Sequence, residues 1–379
     1  MTSSPLTSLS TSALVDIEGV RGGVDDELAE HVTRLRALLA GVSDDVDHLA
    51  DAVEVMLSGG KRLRAAFCYW SWRAHGGTPG TSEATAVLRV GAALELFQAA
   101  ALFHDDLMDD SDTRRGHPAA HRAFAARHDE RGLQGTAEHF GMSAAILLGD
   151  LALVASEQVF AAALADAPAA RAAGARAVFD LMRSEVTIGQ YLDVLAQSMP
   201  WGVDPAADER RAREVIRAKS ARYSVEHPIV LGAVLADASD EDVAACRALG
   251  LPLGEAFQLR DDVLGVFGDP VATGKPAGDD LREGKRTVLV ARALARAAQR
   301  GDDETAALLR ARLGDRALSD DDVRQIAVAI DAAGAVDDVE ALIDTLAGRA
   351  FALAADRRWP APAGEVLVAL AHAAVDRHA

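Results

Sequence analysis

The chain has 379 residues and a formal net charge of −19, which excludes nucleic acid or an anionic membrane surface as its main partner. No stretch of about 20 residues is apolar throughout, so we expect no transmembrane helix and no stable membrane insertion. The two cysteines, Cys68 and Cys246, lie in apolar helical contexts and indicate a reduced, cytoplasmic protein. No basic residue precedes Arg21, so we expect no secretory signal.

The pattern of apolar residues predicts helices along almost the whole chain. Residues 1–22 are rich in Ser, Thr and Gly and are expected to be disordered. From Val24 onward apolar residues recur at helical spacing, without β-alternation or a fixed repeat. After two or three N-terminal helices, further helices are expected at about 83–110, 117–129, 138–166, 169–197, 206–223, 225–236, 240–267, 285–300, 303–314, 319–333, 336–356 and 363–377. We therefore predict an all-α fold, with residues 23–379 forming a single large helix bundle around an apolar shaft.

An acidic segment, His104–Gly116, follows a long apolar run and places five carboxylates within eight residues. On a helix, Asp105 and Asp109 lie one turn apart on one face, and Asp106 and Asp110 lie one turn apart beside them. Like charges at this spacing repel each other, and carboxylate oxygens are ligands for Mg²⁺ or Mn²⁺. A solvated acidic helix end is the alternative, but such a surface does not usually continue an uncharged apolar run.

A second acidic pair, Asp261 and Asp262, also ends an amphipathic helix and precedes a glycine-rich loop that contains Lys275. Four basic segments accompany the two acidic ones, and arginine and lysine side chains bind phosphate oxygens. These segments contain Lys61, Arg62 and Arg64; Arg114 and Arg115; Lys219; and Lys275. Together the acidic and basic segments indicate metal-assisted diphosphate chemistry on an apolar substrate.

The use of lysine supports the same interpretation. Only four of the 39 basic residues are Lys, namely Lys61, Lys219, Lys275 and Lys285. In a chain that otherwise uses Arg, the remaining lysines mark places where a compact ammonium is needed. Chance is the alternative explanation.

With these motifs, the sequence from about Asp25 to Ala298 resembles the trans-isoprenyl diphosphate synthases of the polyprenyl synthetase family, in particular the bacterial short-chain type. The matching motifs are Gly59–Arg64, Asp105–Asp109, Arg114–Gly116, Lys219–Ala221 and Phe257–Asp262. Two positions depart from the family pattern, because Ala65 replaces a usual Pro and Gly265 replaces the third Asp of the second acidic motif.

The resemblance implies successive condensation of isopentenyl diphosphate with an allylic diphosphate, and a homodimer. It implies three Mg²⁺ ions, replaceable by Mn²⁺, held by Asp105, Asp109 and Asp261, with Asp106 and Asp262 acting at longer range or through water. The allylic diphosphate is expected on Arg114, Lys219, Lys275 and Lys285. Isopentenyl diphosphate is expected on Lys61, Arg64, Gln98 and Arg115. Ser220 and Gln258 would direct oxygen dipoles at the allylic cation, so Lys219, Ser220 and Gln258 are the expected catalytic residues.

Product length is predicted from the helix that leads into the first acidic motif. Ala100 and Ala101 are small and leave the shaft open, whereas Phe97, one turn deeper, is its expected floor. Because a helical turn of about 5.4 Å is on the order of one isoprene unit, we predict the C20 product, geranylgeranyl diphosphate. An ordinary core role is the alternative for Phe97.

Other readings remain open for the chain as a whole and for some of its residues. A farnesyl diphosphate synthase, a class I terpene cyclase or a non-catalytic partner subunit would share parts of the pattern. The alternatives to a direct role are a core or capping position for His104, packing for Tyr223, helix N-terminal positions for His117 and His121, and satisfied interior positions for Asp150 and Asp193.

Overall fold

The computed structural model describes residues 9–201, 203–268 and 278–376, and it confirms the all-α prediction. In this part of the chain the strands are limited to one antiparallel pair, Thr113–Arg114 with His117–Pro118. Two compact units are formed. Unit 1 comprises Met1–Arg176, Pro228–Ser239 and Trp359–Leu370, and unit 2 comprises Ala177–His227, Asp240–Arg358 and Ala371–Ala379.

Unit 1 is built from the N-terminal helices. They are α1 Thr11–Val15, α2 Val20–Ala40, α3 Asp47–Leu57, α4 Leu63–Ala74, α5 Ser82–Met108, α6 Ala120–Glu130 and α7 Ala137–Ala163. Helix α5 begins at the N-cap Thr81, whose hydroxyl accepts a hydrogen bond from the Ala84 amide. It packs against α7 and α4, and its residues from Val90 to Leu96 are all buried. A helix that is buried on all sides is a central helix, so α5 lies in the core of unit 1.

By length and composition alone, α5 and α7 could each cross a membrane. In the apolar windows of these helices, 67% and 50% of the residues are buried inside the protein. Core helices of soluble proteins have the same length and composition, so these two helices give little reason to expect membrane insertion.

Unit 2 contains most of the C-terminal helices. They are α9 Pro205–Val215, α11 Asp240–Phe267, α12 Asp279–Glu283, α13 Val288–Arg300, α14 Asp303–Arg312, α15 Asp320–Ala332 and α16 Ala335–Ala355. Three more helices have residues in both units: α8 Ala169–Ser198, α10 His227–Leu235 and α17 Ala363–Val375. Between α9 and α10 the chain forms a π-helix, Ile216–Glu226, which packs against α11.

Two segments of the last 80 residues, to which the sequence analysis assigned no motif, support α11 within unit 2. The Arg260 guanidinium donates Nη2 to Glu340 of α16 at 2.7 Å and Nε to the Val375 carbonyl at 3.0 Å. Arg260 directly precedes Asp261. The C-terminal helices therefore fix the end of α11 that carries the second acidic pair.

Three element boundaries differ from the prediction. Residues 11–22 of the expected disordered segment are largely helical, because Leu14, Val15 and Val20 are buried. The expected helix at 117 begins only at Ala120, because His117 and Pro118 pair with the first strand. The expected break near 224 is absent, because the π-helix continues directly into α10.

Candidate active site

The first acidic motif ends α5, where Asp105 and Asp109 lie one turn apart. An oxygen of each carboxylate lies within 4.8 Å of an oxygen of the other, which is close enough for one cation to contact both. Asp109 is only 3% exposed, whereas Asp105 is half-buried. This pair has the position and chemistry that were predicted for a Mg²⁺ site.

Asp106, beside this pair, is held by Arg114. The guanidinium donates Nε to Asp106 Oδ1 at 2.7 Å and also donates Nη2 to the same oxygen. The other oxygen, Oδ2, is buried and has no hydrogen-bond partner among the described residues. One face of the carboxylate is thus neutralised, and the other can take a donor such as a metal-bound water.

A short β-hairpin positions the two arginines that follow the motif. Its two-residue loop consists of Arg115 and Gly116, with φ values of 52° and 78°. Positive φ at both loop positions is typical of a type I′ turn, which turns the chain sharply with minimal length. Arg114 and Arg115 therefore point to different partners, although they are neighbours in sequence.

Arg115 contacts the loop between α3 and α4. Its Nη1 donates to the Met56 carbonyl at 2.7 Å and to the Ser58 carbonyl at 2.8 Å. Burial, reinforced by the charges of Arg62 and Arg64, lowers the pKa of Arg115 below its ordinary value. The nearby Glu95 carboxylate opposes this shift, and an anion bound beside Arg115 would oppose it further.

In the basic segment Lys61–Arg64, one basic side chain is buried against protein groups and the other two reach solvent. Arg62, with φ 56°, is 7% exposed and donates Nε to Asp25 at 2.7 Å and Nη1 to Glu95 at 3.1 Å. The expectation that Arg62 binds phosphate is therefore wrong, because two protein carboxylates already neutralise it. Lys61 on its N-terminal side is exposed, and Arg64 is half-buried. Gln98 of α5 is also half-buried.

In unit 2, the π-helix carries Lys219 and Ser220. The Lys219 ammonium lies 2.5 Å from Asp193 of α8. A Cβ placed on Gly189, one turn earlier in α8, would lie 2.4 Å from the Lys219 amide nitrogen. Because Gly189 has no side chain, the backbone of α8 can approach the backbone of the π-helix closely at Lys219.

A chain of hydrogen bonds joins the π-helix to the second acidic pair. Ser220 Oγ donates to Gln258 Oε1, and Gln258 Nε2 donates to Asp262 Oδ1 at 2.9 Å. Burial, together with the nearby carboxylates of Asp280 and Asp261, raises the pKa of Asp262 to about 8. A carboxylate with so unfavourable a charge is well suited to a divalent cation, which would restore its ionised form.

Lys285 lies beside these carboxylates. Its ammonium is 3.3 Å from Asp280 and 2.9 Å from Glu283, both on α12. The predicted ligand Lys275 lies outside the described residues. Asp280 did not emerge from the sequence analysis, although the pair Asp279–Asp280 five residues before Lys285 was a visible signal.

Both acidic groups present oxygen donors, which fits Mg²⁺ and Mn²⁺ better than softer metals. The buried Asp106 oxygen without a partner and the raised pKa of Asp262 support the same assignment. Asp105 and Asp109 at the end of α5 could hold such an ion, and so could Asp261 at the end of α11.

The residues expected to set product length lie in the buried stretch of α5. Phe97 is 5% exposed and Ala100 is 2% exposed, whereas Ala101 is half-buried. Because Phe97, Ala101 and Asp105 are spaced by four residues, they lie along one face of the helix.

The position of His104 favours a packing role. A Cβ on Gly149 of α7 would lie 2.2 Å from His104 Nε2, so the ring lies directly against that helix. Its Nε2 is also 3.2 Å from the Ile146 carbonyl. The prediction that His104 is a core or capping residue fits this position.

Comparison with known proteins identifies the class. The polyprenyl synthetase family model matches residues 46–330, three quarters of the chain. The chain belongs to the polyprenyl synthetase family, whose members are prenyl diphosphate synthases.

Individual relatives agree on the reaction class and differ in product. A geranylgeranyl pyrophosphate synthase from Corynebacterium glutamicum, solved with isoprenyl diphosphate and magnesium, is 37% identical, with a TM-score of 0.88 over 98% of this chain and 100% of that one. The geranylgeranyl diphosphate synthase of Mycobacterium tuberculosis is 35% identical over 65% of this chain and 61% of that protein. The octaprenyl diphosphate synthase of Escherichia coli is 28% identical over 90% and 94%. The family therefore fixes the type of reaction but not the length of the product.

Proposed function

We propose that this protein is a Mg²⁺-dependent synthase that condenses isopentenyl diphosphate with allylic diphosphates of C5 to C15 and releases geranylgeranyl diphosphate. The observation that carries the proposal is the carboxylate pair Asp105 and Asp109, which is suited to Mg²⁺ and is followed by a hairpin whose two arginines contact different partners. A class I terpene cyclase needs the carboxylates but only one diphosphate site. A second cationic site on Lys61, Arg64 and Arg115 favours the condensing enzyme.

Two groups of residues bind the two substrates. Arg114, Lys219, Lys275 and Lys285 bind the allylic diphosphate, whereas Lys61, Arg64, Gln98 and Arg115 bind isopentenyl diphosphate. Asp105, Asp109 and Asp261 would hold three Mg²⁺ ions, which would supply positive charge opposite the allylic diphosphate. Lys219 stabilises the negative charge that develops as the allylic C–O bond breaks. Ser220 Oγ and the Gln258 amide oxygen direct dipoles at the allylic cation, which the double bond of isopentenyl diphosphate then attacks. The released diphosphate accepts the final proton.

Two further features of the proposed enzyme rest on separate observations. An apolar stripe on α7 is exposed, with Met142, Ile146, Leu147 and Val154 between 41% and 64% accessible. Such a stripe is suited to a second copy of the chain, which favours a homodimer. Buried free thiols at Cys68 and Cys246 fit a reducing, cytoplasmic location.

A product assay tests the proposal directly. Purified protein with Mg²⁺, isopentenyl diphosphate and geranyl or farnesyl diphosphate should yield mainly a C20 diphosphate, and EDTA should abolish the reaction. A hydrocarbon or alcohol formed from one allylic diphosphate alone would establish a cyclase instead. A main product of C15 would establish the farnesyl diphosphate synthase.

Product length should depend on Phe97. Replacing Phe97 with alanine removes the proposed floor of the shaft, so products of C25 or longer should become the main fraction under the same conditions. Radiolabelled products separated by chain length provide the measurement. Phe103→Ala on the same helix is the matched control, because Phe103 is also buried, at 2% exposure, but lies six residues further on and therefore on a different face of the helix. Its main product should stay C20. An unchanged C20 product in Phe97→Ala would leave Phe97 an ordinary core residue.

A further inference from the structure

The second acidic motif, at the end of α11, lacks its third carboxylate, because Gly265 stands where the family pattern has Asp. Asp261 and Gly265 are spaced by four residues, so they lie on one face of the helix, one turn apart. A carboxylate at position 265 would therefore stand next to Asp261. Gly265 has no side chain, and the second acidic motif of this chain is one negative charge short.

The space beside Gly265 is nevertheless filled by a carboxylate. A Cβ on Gly265 would lie 2.1 Å from Asp280 Oδ2 and 2.9 Å from Asp280 Cγ. These distances are far below van der Waals contact, so the Asp280 carboxyl group occupies the volume where a side chain at 265 would begin. Asp280 is 16% exposed and belongs to α12.

Local structure explains how Asp280 reaches this place. The Gly278 amide donates to the Gly265 carbonyl at 3.0 Å, which ties the start of α12 to the end of α11. Gly278 adopts φ 78°, a conformation that favours glycine, and the next two residues are Asp279 and Asp280. The same carboxylate is 3.3 Å from the Lys285 ammonium through Oδ1, while Oδ2 faces Gly265.

We infer that Asp280, delivered from α12 into the space left by Gly265, supplies the missing third carboxylate of the second acidic motif. It is a positioning residue, which keeps a negative charge one turn beyond Asp261 and holds the Lys285 ammonium beside the aspartates. This inference rests on the proposed function, since it assigns Asp280 to the same metal and diphosphate site.

The test moves the carboxylate from one helix to the other. Asp280→Ala removes the charge, and Gly265→Asp adds a second carboxylate in a volume that is already filled. The double variant Gly265→Asp/Asp280→Ala returns one carboxylate to the same volume from α11. Asp280→Asn keeps the shape without the charge, and Asp279→Ala is the matched control on the same turn of α12.

The measurement is the Mg²⁺ concentration that gives half of the maximal rise in melting temperature in the presence of inorganic diphosphate. We expect this concentration to increase about tenfold in Asp280→Ala, in Asp280→Asn and in Gly265→Asp. It should return to within about threefold of the wild-type value in the double variant, because one interaction is lost and then restored. Circular dichroism of each protein without metal shows that the variants fold.

Two results would overturn the inference. One is an Asp280→Ala protein that responds to Mg²⁺ like Asp279→Ala. The other is a double variant in which the defects of the two single variants simply add. If Mg²⁺ and diphosphate fail to stabilise even the wild type, the proposed function fails and this inference with it. If the wild type responds and the variants do not separate, only the role of Asp280 fails.

Discussion

Asp105→Ala should lower kcat/KM for prenyl transfer by about 10³-fold, because the variant loses a carboxylate that would hold the cations on the departing diphosphate. The same change should alter the stability of the metal-free protein little. Asp105 and Asp109 repel each other at a separation of four residues, but the Arg114 guanidinium lies 3.9 Å from the Asp105 carboxylate and offsets that repulsion. The variant should therefore lose activity while it keeps its stability, a combination that general damage to the fold does not produce. Steady-state kinetics and thermal denaturation without metal give the two values.

Asp112→Ala is the matched control for Asp105→Ala. Asp112 lies in the same acidic segment, but its side chain is 82% exposed and pairs with Arg122 at 2.9 Å. Its removal should change kcat/KM by less than about twofold, since an exposed ion pair contributes little. Equal losses in the two variants would mean that the segment acts through its overall charge, and the assignment of Asp105 to a metal would be wrong.

The parts of this site that are local in sequence could be predicted from it. Spacing along one helix places Asp105 and Asp109 on one face, and the helix is marked by its apolar run. The all-α fold follows for the same reason, because helical periodicity is a short-range signal. The position of Arg114 and Arg115 directly after the acidic motif likewise predicts phosphate ligands, and this assignment stays a prediction.

Contacts between distant residues could not be predicted in this way. Arg62 has the same charge as Lys61 and Arg64, and only the positions of Asp25 and Glu95 show that it is already neutralised. Asp280 was overlooked because it completes a motif that lies 15 residues earlier in the chain, across a turn made by Gly278.

The π-helix is a further feature that periodicity does not reveal. Its backbone follows a wider spiral than an α-helix, and the helical apolar pattern of residues 206–236 is compatible with either form. Two glycines make room for it, Gly189 on α8 and Gly254 on α11. The sequence gives no sign that they differ from other glycines in helices. A Cβ on Gly254 would lie 2.2 Å from the Ala221 carbonyl oxygen, so the π-helix approaches α11 as closely as it approaches α8.

Gly189→Ala should therefore displace the part of the π-helix that carries Lys219. The new methyl group would lie 2.4–2.7 Å from backbone atoms of Ala218 and Lys219, and backbone cannot turn aside as a side chain can. Overpacking of this kind costs about 1–3 kcal/mol of unfolding free energy, partly offset by the helix propensity of alanine. We expect kcat/KM to fall about 100-fold, because an ammonium misplaced by about 1 Å no longer meets the departing diphosphate. Urea denaturation and steady-state kinetics provide the two measurements.

The control for Gly189→Ala is the same substitution in a helix with free space. A Cβ on Gly348 of α16 would meet nothing within 4 Å, so Gly348→Ala should stabilise the protein by about 0.5–1 kcal/mol and leave kcat/KM unchanged. The comparison isolates the close approach of α8 to the π-helix, since both variants exchange glycine for alanine inside a helix. If Gly189→Ala retained full activity, the position of Lys219 would not depend on this contact. The glycine would then serve only the packing of unit 2.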